Sequence, residues 1–189
     1  MKKVIFIITA LIISIISIFV AKPYVDAYQE RQQYEFTLNT IDGDIKLSDF
    51  RGKAVAIYFG YMYCPDACPT SLSLLNESLK NFSKEQLAEF QGIFVSVDPE
   101  RDSLKDLKEY GKYFNSNIIG TTGSEKNLKQ ITKNYGSYYV LEKASPEDKL
   151  YNVAHTSYFY IFDKDGNLSE RVRHFTKPSE ITKALKKVL

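Results

Sequence analysis

Blocks of hydrophobic and polar residues with distinct periods run along the chain, and each period predicts an element. Val4 to Ala21 is an uncharged run broken only by Thr9, Ser14 and Ser17. At about 1.5 Å per residue, a helix of that length crosses most of a ~30 Å hydrocarbon layer. Polar residues 22–33 then read as a tether. Tyr34 to Leu38 alternates weakly, Asp42-Gly43 makes a turn, and Ile45, Leu47 and Phe50 follow, which predicts a short hairpin. An apolar, β-rich run from Val55 to Phe59 reaches Gly60, after which Leu72, Leu75 and Leu79 recur at helical spacing. A short amphipathic piece around Glu85 to Phe90 leads to a buried strand over Gly92 to Asp98.

Pro99 to Asp102 opens another helix, with Leu104, Leu107, Tyr110 and Phe114 on one face. A short strand at Ile118-Ile119, a helix over Glu125 to Tyr135 and a strand over Tyr138 to Leu141 follow, and residues 142–152 form a polar loop. Ser157 to Phe162 and Leu168 to His174, joined at Asp165-Gly166, form a hairpin. The chain closes with a helix over Ser179 to Leu189 whose inner positions are Ile181, Leu185 and Leu189. No internal repeat or low-complexity tract appears. Strand, helix and strand followed by a hairpin and a terminal helix is the thioredoxin arrangement, so the chain reads as an α/β, thioredoxin-like fold behind an N-terminal transmembrane anchor. The expected organisation is an anchor over residues 1–21, a linker over 22–33 and one domain over 34–189, a length that holds a real core.

Composition narrows the functional classes. Lys and Arg total 25 against 23 Asp and Glu, and no dense basic stripe with interleaved aromatics is present, so the sequence excludes nucleic acid as the expected partner. Lys183, Lys186 and Lys187 read as a solvated helix face. The leader reads as a membrane segment or a signal peptide. Its length favours an uncleaved anchor, with a peptidase site at Val25-Asp26-Ala27 as the alternative. Lys2 and Lys3 place the N-terminus in the cytoplasm and the body outside, which predicts a single-pass protein of a bacterial cytoplasmic membrane facing the extracytoplasmic side.

Both cysteines, Cys64 and Cys68, lie between the Val55–Phe59 strand and the Leu72–Leu79 stripe, where open α/β sheets gather ligands. If the first helical turn includes Cys64, residues i and i+4 stack and both sulfurs face one spot. A helix N-terminus favours thiolate, the form that binds metal or attacks a disulfide. Two clustered cysteines argue for a local chemical or metal role over a disulfide scaffold, although a single structural disulfide remains the bland reading. Asp98, at the end of its strand, is read as a carboxylate beside the site or as a cap for the helix beginning at Pro99. His155 alone reads as an ordinary buried or edge histidine, and His174 as a surface residue.

Three motifs in order, Phe59-Gly60-Tyr61 through Cys64-Pro65-Asp66-Ala67-Cys68-Pro69-Thr70, Val95-Ser96-Val97-Asp98-Pro99-Glu100-Arg101-Asp102 and Val153-Ala154-His155-Thr156, resemble the Sco/SenC family. The resemblance covers the chain from about Phe36 to the C-terminus. It implies a membrane-anchored, thioredoxin-like copper chaperone that assists assembly of the dinuclear copper centre of cytochrome c oxidase. Carried over residue by residue, it implies metal ligands at Cys64, Cys68 and His155 and an aspartate that influences copper binding at Asp98. Two departures stand out. Met62 and Tyr63 replace the Thr and polar residue common before the first cysteine, and Ala154 replaces an Asp that would orient the imidazole.

Soft thiolates suit Cu(I), and an added imidazole lets one site also hold Cu(II). Asp98 or Asp66 is the auxiliary oxygen donor or proton acceptor in this reading, and Met62 is packing or partner surface. The expected function is that of an assembly factor rather than an enzyme. It delivers copper to the copper-bearing oxidase subunit or reduces that subunit's cysteines, with other copper chaperones or thiol reductants as further partners. The alternative is a thiol-disulfide oxidoreductase or peroxidase of the same fold. Against it stand the three residues between the cysteines, where such enzymes have two, and Ala154-His155-Thr156 in the place of their cis-proline.

Overall fold

A computed structural model describes residues 2–145, 147–148, 150–174 and 176–189. The chain divides after Gln33. Helix α1 (Lys2–Tyr34) carries the N-terminal apolar run, and it is long and apolar enough, by length and composition, to cross a membrane. The polar stretch expected to be a tether is helical and continuous with that run, with Pro23 inside it.

The second unit begins with a hairpin of β1 (Thr37–Thr40) and β2 (Gly43–Lys46), turned at Gly43 where φ is +124°. A 3₁₀ turn at Leu47–Phe50 leads into β3 (Ala54–Gly60), every residue of which is buried. After α2 (Ala67–Leu79) and the short α3 (Lys84–Ala88) comes β4 (Phe90–Ser96), again buried throughout. Continuous apolar runs in β3 and β4 are what a parallel pair covered on both faces requires, and the two pair in parallel along their whole length. Helix α4 (Leu104–Phe114), β5 (Ile118–Thr121) and α5 (Glu125–Asn134) follow.

A second hairpin, β6 (Tyr139–Glu142) with β7 (Asn152–His155), stands apart from the main sheet. The chain then adds β8 (Tyr158–Phe162) antiparallel to β3, β9 (Leu168–Arg173) on its far side, and α6 (Pro178–Leu185). The five-stranded order is β5-β4-β3-β8-β9, with β3 in the centre. This is the thioredoxin-like α/β arrangement expected from the order of elements.

Alternation along the central strands builds two aromatic layers. On one face Tyr58 stacks with Phe94, which meets Tyr110 of α4. On the other face Phe59 and Tyr160 pack edge-on against Tyr135, just past α5, whose hydroxyl donates to the Tyr34 carbonyl at 2.7 Å. All of these rings but the half-buried Tyr110 are fully buried, and they contribute both apolar area and favourable ring geometry.

Three expected boundaries move for local reasons. Phe90 opens β4 instead of closing a helix, because Ser83 and Gln86 form a capping box that starts α3 and the helix ends at Ala88. Helix α4 starts at Leu104 under a Ser103 cap, so Asp98 does not cap it, and residues 98–102 form a turn. The stretch read as a polar loop gives up a residue at each end, Glu142 to β6 and Asn152 to β7, and β7, held by its pairing with β6, runs on beyond it.

Gly120 shows how tightly α4 lies on the sheet: a Cβ there would stand 2.0 Å from the Leu107 carbonyl oxygen. A backbone atom in mid-helix cannot yield as a side-chain tip can. Gly120→Ala is therefore expected to lower unfolding stability by at least the ~1–3 kcal/mol typical of overpacking. Chemical denaturation of the full chain in detergent micelles checks this, and a midpoint matching the parent would refute it.

Candidate metal and thiol centre

Strand β3 ends at Gly60, and residues 61–66 form a loop into α2. Cys64 lies in that loop, before the helix, and Cys68 is the second helical residue. The expected stacking of i and i+4 within one helical turn is thus not the arrangement that brings the sulfurs together. The loop instead folds the Cys64 sulfur back over the helix start, where it accepts a hydrogen bond from the Cys68 amide at 3.4 Å. Asp66 occupies the N-cap position without a side-chain cap bond; its carboxylate accepts from the Thr70 hydroxyl at 3.1 Å. Cys64 thus supplies the acceptor that the open helix end calls for.

Cys68 is wholly buried, and Gly60 is the reason it fits. A Cβ on Gly60 would lie 2.7 Å from the Cys68 sulfur and 2.9 Å from the Phe94 ring. Cys64 is only partly covered, and both cysteines are free thiols. This asymmetry separates their acidities. Cys64 is pulled down to about 3, chiefly by the Cys68 thiol that donates to it, with His155 and the Cys68 and Asp66 amides adding to the effect. Cys68 is pushed far up, first by its hydrogen bond to Cys64 and then by burial. The pair holds one proton, on the inner sulfur.

His155 ends β7 and reaches the pair from the other side, with Nε2 3.7 Å from the Cys68 sulfur. Its ring stands edge-on to Tyr58 and Tyr61. Nδ1 lies 3.3 Å from the Thr156 carbonyl and 3.2 Å from the Ser157 hydroxyl. The tautomer sets the role of the ring: with a proton on Nε2 it donates to the sulfurs, and with the proton on Nδ1, where Thr156 O accepts it, Nε2 is open to a metal. The orienting contact missing at Ala154 is therefore made by the next two residues. Donor atoms of Cys64, Cys68 and His155 all lie within 4.8 Å of one another, a spacing that one metal ion can span.

Asp98 and Asp66 are outside that group. Asp98 is fully buried, and its two oxygens are taken by Arg101 Nε at 2.5 Å and the Tyr151 hydroxyl at 2.7 Å. Met62 is half-buried, and its amide donates to the Asp102 carboxylate, which also accepts from Ser96; burial pushes the Asp102 carboxyl up. His174, expected on the surface, is half-buried beside Arg173 in an open hollow that His155, Ser157 and Tyr158 also line. Arg101, Asp102 and Tyr151 were missed as parts of the site. The first two stand in the motif after β4, where in sequence they read as helix-opening charges, and Tyr151 carries no sequence signal.

The family described as SCO1/SenC matches residues 25–189. An SCO2-like protein of Rickettsia felis is 34% identical over 153 residues, covering 80% of this chain and 74% of that protein. Among solved structures, copper-bound ScoI of Bradyrhizobium japonicum is 31% identical with a TM-score of 0.70, covering 82% of this chain and 98% of that one. Copper-bound ScoI of Arabidopsis thaliana is 29% identical with a TM-score of 0.72, covering 81% and 94%.

The acidity of Cys64 has a direct readout. A depressed pKa keeps the thiolate present at every pH above the folded value and loses it only as pH falls through about 3. Alkylation of Cys64 in the reduced full chain is expected to proceed at a level rate from about pH 8.5, where a free thiol titrates, down into the acid range. Mass spectrometry of the modified peptide measures it. A rate that drops tenfold per pH unit below about pH 8.5 would show an ordinary thiol.

Proposed function

This chain belongs to the SCO1/SenC family, and on that premise we propose that it is a copper-binding, membrane-anchored factor for assembly of the dinuclear copper centre of cytochrome c oxidase. The observation that carries the reading is the convergence of two sulfurs and one imidazole nitrogen within 4.8 Å at the end of the central strands. The donor set fits copper in both oxidation states: the sulfurs are soft ligands for Cu(I), and the imidazole adds the nitrogen donor that Cu(II) prefers. The partly exposed Cys64 thiolate is the first ligand an incoming ion meets. Binding then releases the proton held by Cys68, because a metal-bound sulfur is deprotonated.

Transfer to the oxidase subunit is an exchange of these ligands for that subunit's own. The same thiol pair, with an acidic outer sulfur and a buried inner one, also suits reduction of the subunit's cysteines. Cys64 would attack the disulfide and Cys68 would resolve the mixed disulfide, the pair becoming oxidised as two electrons pass to the partner. His155 separates the two roles. In copper delivery it is a ligand; in thiol exchange the electrons come from the sulfurs alone.

His155→Ala is expected to weaken Cu(II) binding severely and to abolish oxidase assembly, while leaving Cys64 and Cys68 able to form a disulfide. Cys64→Ser should remove the intense thiolate-to-copper absorption of the Cu(II) complex. Absorption titration of the purified full chain and oxidase activity in cells check these outcomes. Near-normal oxidase activity with His155→Ala, together with deficiency in Cys64→Ser cells, would favour thiol reduction. Retention of the band in Cys64→Ser would move the site elsewhere.

We place the domain on the extracytoplasmic side of a bacterial cytoplasmic membrane, held by an uncleaved single-pass α1. Lys2 and Lys3 ahead of the apolar run support this orientation. Intact mass of protein extracted from membranes is expected to correspond to a chain that retains its leader. A mature chain beginning at Tyr28 would overturn the anchor.

A further inference from the structure

His155 is carried by a hairpin that belongs to a separate two-stranded sheet, while the cysteines are carried by the end of the five-stranded one. Something must hold the two sheets in register for the three donors to meet. Arg101, in the turn after β4, touches both. Its Nε donates to Asp98, and its Nη1 donates to the Tyr151 carbonyl at 2.8 Å. The guanidinium lies 3.6 Å from the centroid of the Tyr151 ring, next to the start of β7. The same guanidinium faces Tyr61 and Tyr63 of the cysteine loop at 5.6 and 5.2 Å. Tyr151 closes the ring of contacts by donating its hydroxyl to Asp98.

We propose that Arg101 is the positioning residue of the site: it clamps the His155 hairpin to the cysteine loop and so sets the approach of the imidazole to the sulfurs. The Arg101 side chain is 12% exposed and that of Asp98 0%. Taking two charges so far out of water is costly unless they are paired and hydrogen-bonded; Nε and Nη1 of Arg101 are bonded to Asp98 and to the Tyr151 carbonyl, and Nη2 is buried without a hydrogen-bond partner. A planar guanidinium suits the arrangement, because its fixed fork bonds a carboxylate and a carbonyl while its flat face lies on the Tyr151 ring; an ammonium has three donors and can sit over a ring, as Lys143 does on Tyr151, but it has neither the fork nor the flat face. Tyr61 adds a direct route to the site, since its ring also meets His155 and its carbonyl accepts from the Cys64 amide at 3.3 Å. The clamp touches neither sulfur; it is hydrogen-bonded to the histidine hairpin through the Tyr151 carbonyl and meets the cysteine loop only through ring faces, so its loss falls first on the histidine side of the donor set.

The inference rests on the copper reading for its metal arm only. Its test uses full-length protein in detergent micelles, the variants Arg101→Lys and Tyr151→Phe, and two readouts. In metal-free, reduced protein carrying labelled histidine, the chain gives two imidazole signals, from His155 and His174. The His155 signal is assigned with His155→Ala and is shifted by the flanking Tyr58 and Tyr61 rings. Arg101→Lys is expected to move it toward its position in unfolded protein, and Tyr151→Phe to move it part of the way. In copper-loaded protein, Arg101→Lys should lower Cu(II) affinity about 10–100-fold, as loss of an orienting contact around a metal site does, and should erase the imidazole nitrogen coupling in the electron paramagnetic resonance spectrum. Cu(I) affinity should stay at the parent value.

An unmoved His155 signal with nitrogen coupling intact would overturn the proposal, and so would equal losses of Cu(I) and Cu(II), which mark a general structural role. If Arg101→Lys does not fold, the same readouts on Tyr151→Phe decide. If the parent binds no copper, the proposed function fails, and the metal-free signal still decides the clamp.

Discussion

A buried thiol lodged against a strand end without a side chain is the contact on which the rest of this molecule depends. Cys68 has room only because Gly60 has no Cβ, and Gly60 is held by the full-length pairing of β3 with β4, while β8 fixes β3 from the other side over Val55 to Tyr58. Anchored there, α2 begins at a fixed place with its amides open. The Cys64 sulfur is the group that answers them. Fold and chemistry meet in that one hydrogen bond, since the helix end that needs an acceptor also stabilises the thiolate that provides it.

From that contact follows the division of labour between the two sulfurs. The outer one is partly exposed and ionised, and the inner one is buried and protonated. An incoming ion or disulfide therefore meets a charged nucleophile first and displaces a proton second. The histidine comes from a different sheet, and its meeting with the sulfurs relies on a second polar assembly, Asp98, Arg101 and Tyr151, in which every member is hydrogen-bonded. Arg101 Nη2 is buried without a hydrogen-bond partner, so the network is not fully satisfied, and losing a further member of such a buried network is costly.

Much of this was legible along the chain. Period-2 and continuous apolar runs located β3, β4, β8 and β9, and helical spacing located α2, α4, α5 and α6, because burial imposes those periods directly on the residues. Spacing brought out Cys64 and Cys68, strand-end position brought out Asp98, and only the resemblance to the Sco/SenC family added His155; the structure brings the two cysteines and the histidine together. Asp98 drew notice as a candidate donor, yet its oxygens are committed to Arg101 and Tyr151. Nothing in residues 98–102 read singly distinguishes a helix-opening charge from the centre of a buried network.

The reason lies in the range of the interactions. Amphipathic period, turn chemistry and the strand-loop-helix context of the cysteines are local, so the α/β order, the apolar leader and the place of the thiols could be read from the residues in line. Partners far apart in the chain carry no such mark. Arg101 reaches Tyr151 across fifty residues and Cys68 meets His155 across eighty-seven, and a four-residue strand such as β7 is too short to show a period. Helix α2 starting at Ala67 rather than at Cys64, the shared proton of the two sulfurs and the clamping of the histidine hairpin all follow from desolvation and long-range contact, which come into being only when the chain has folded.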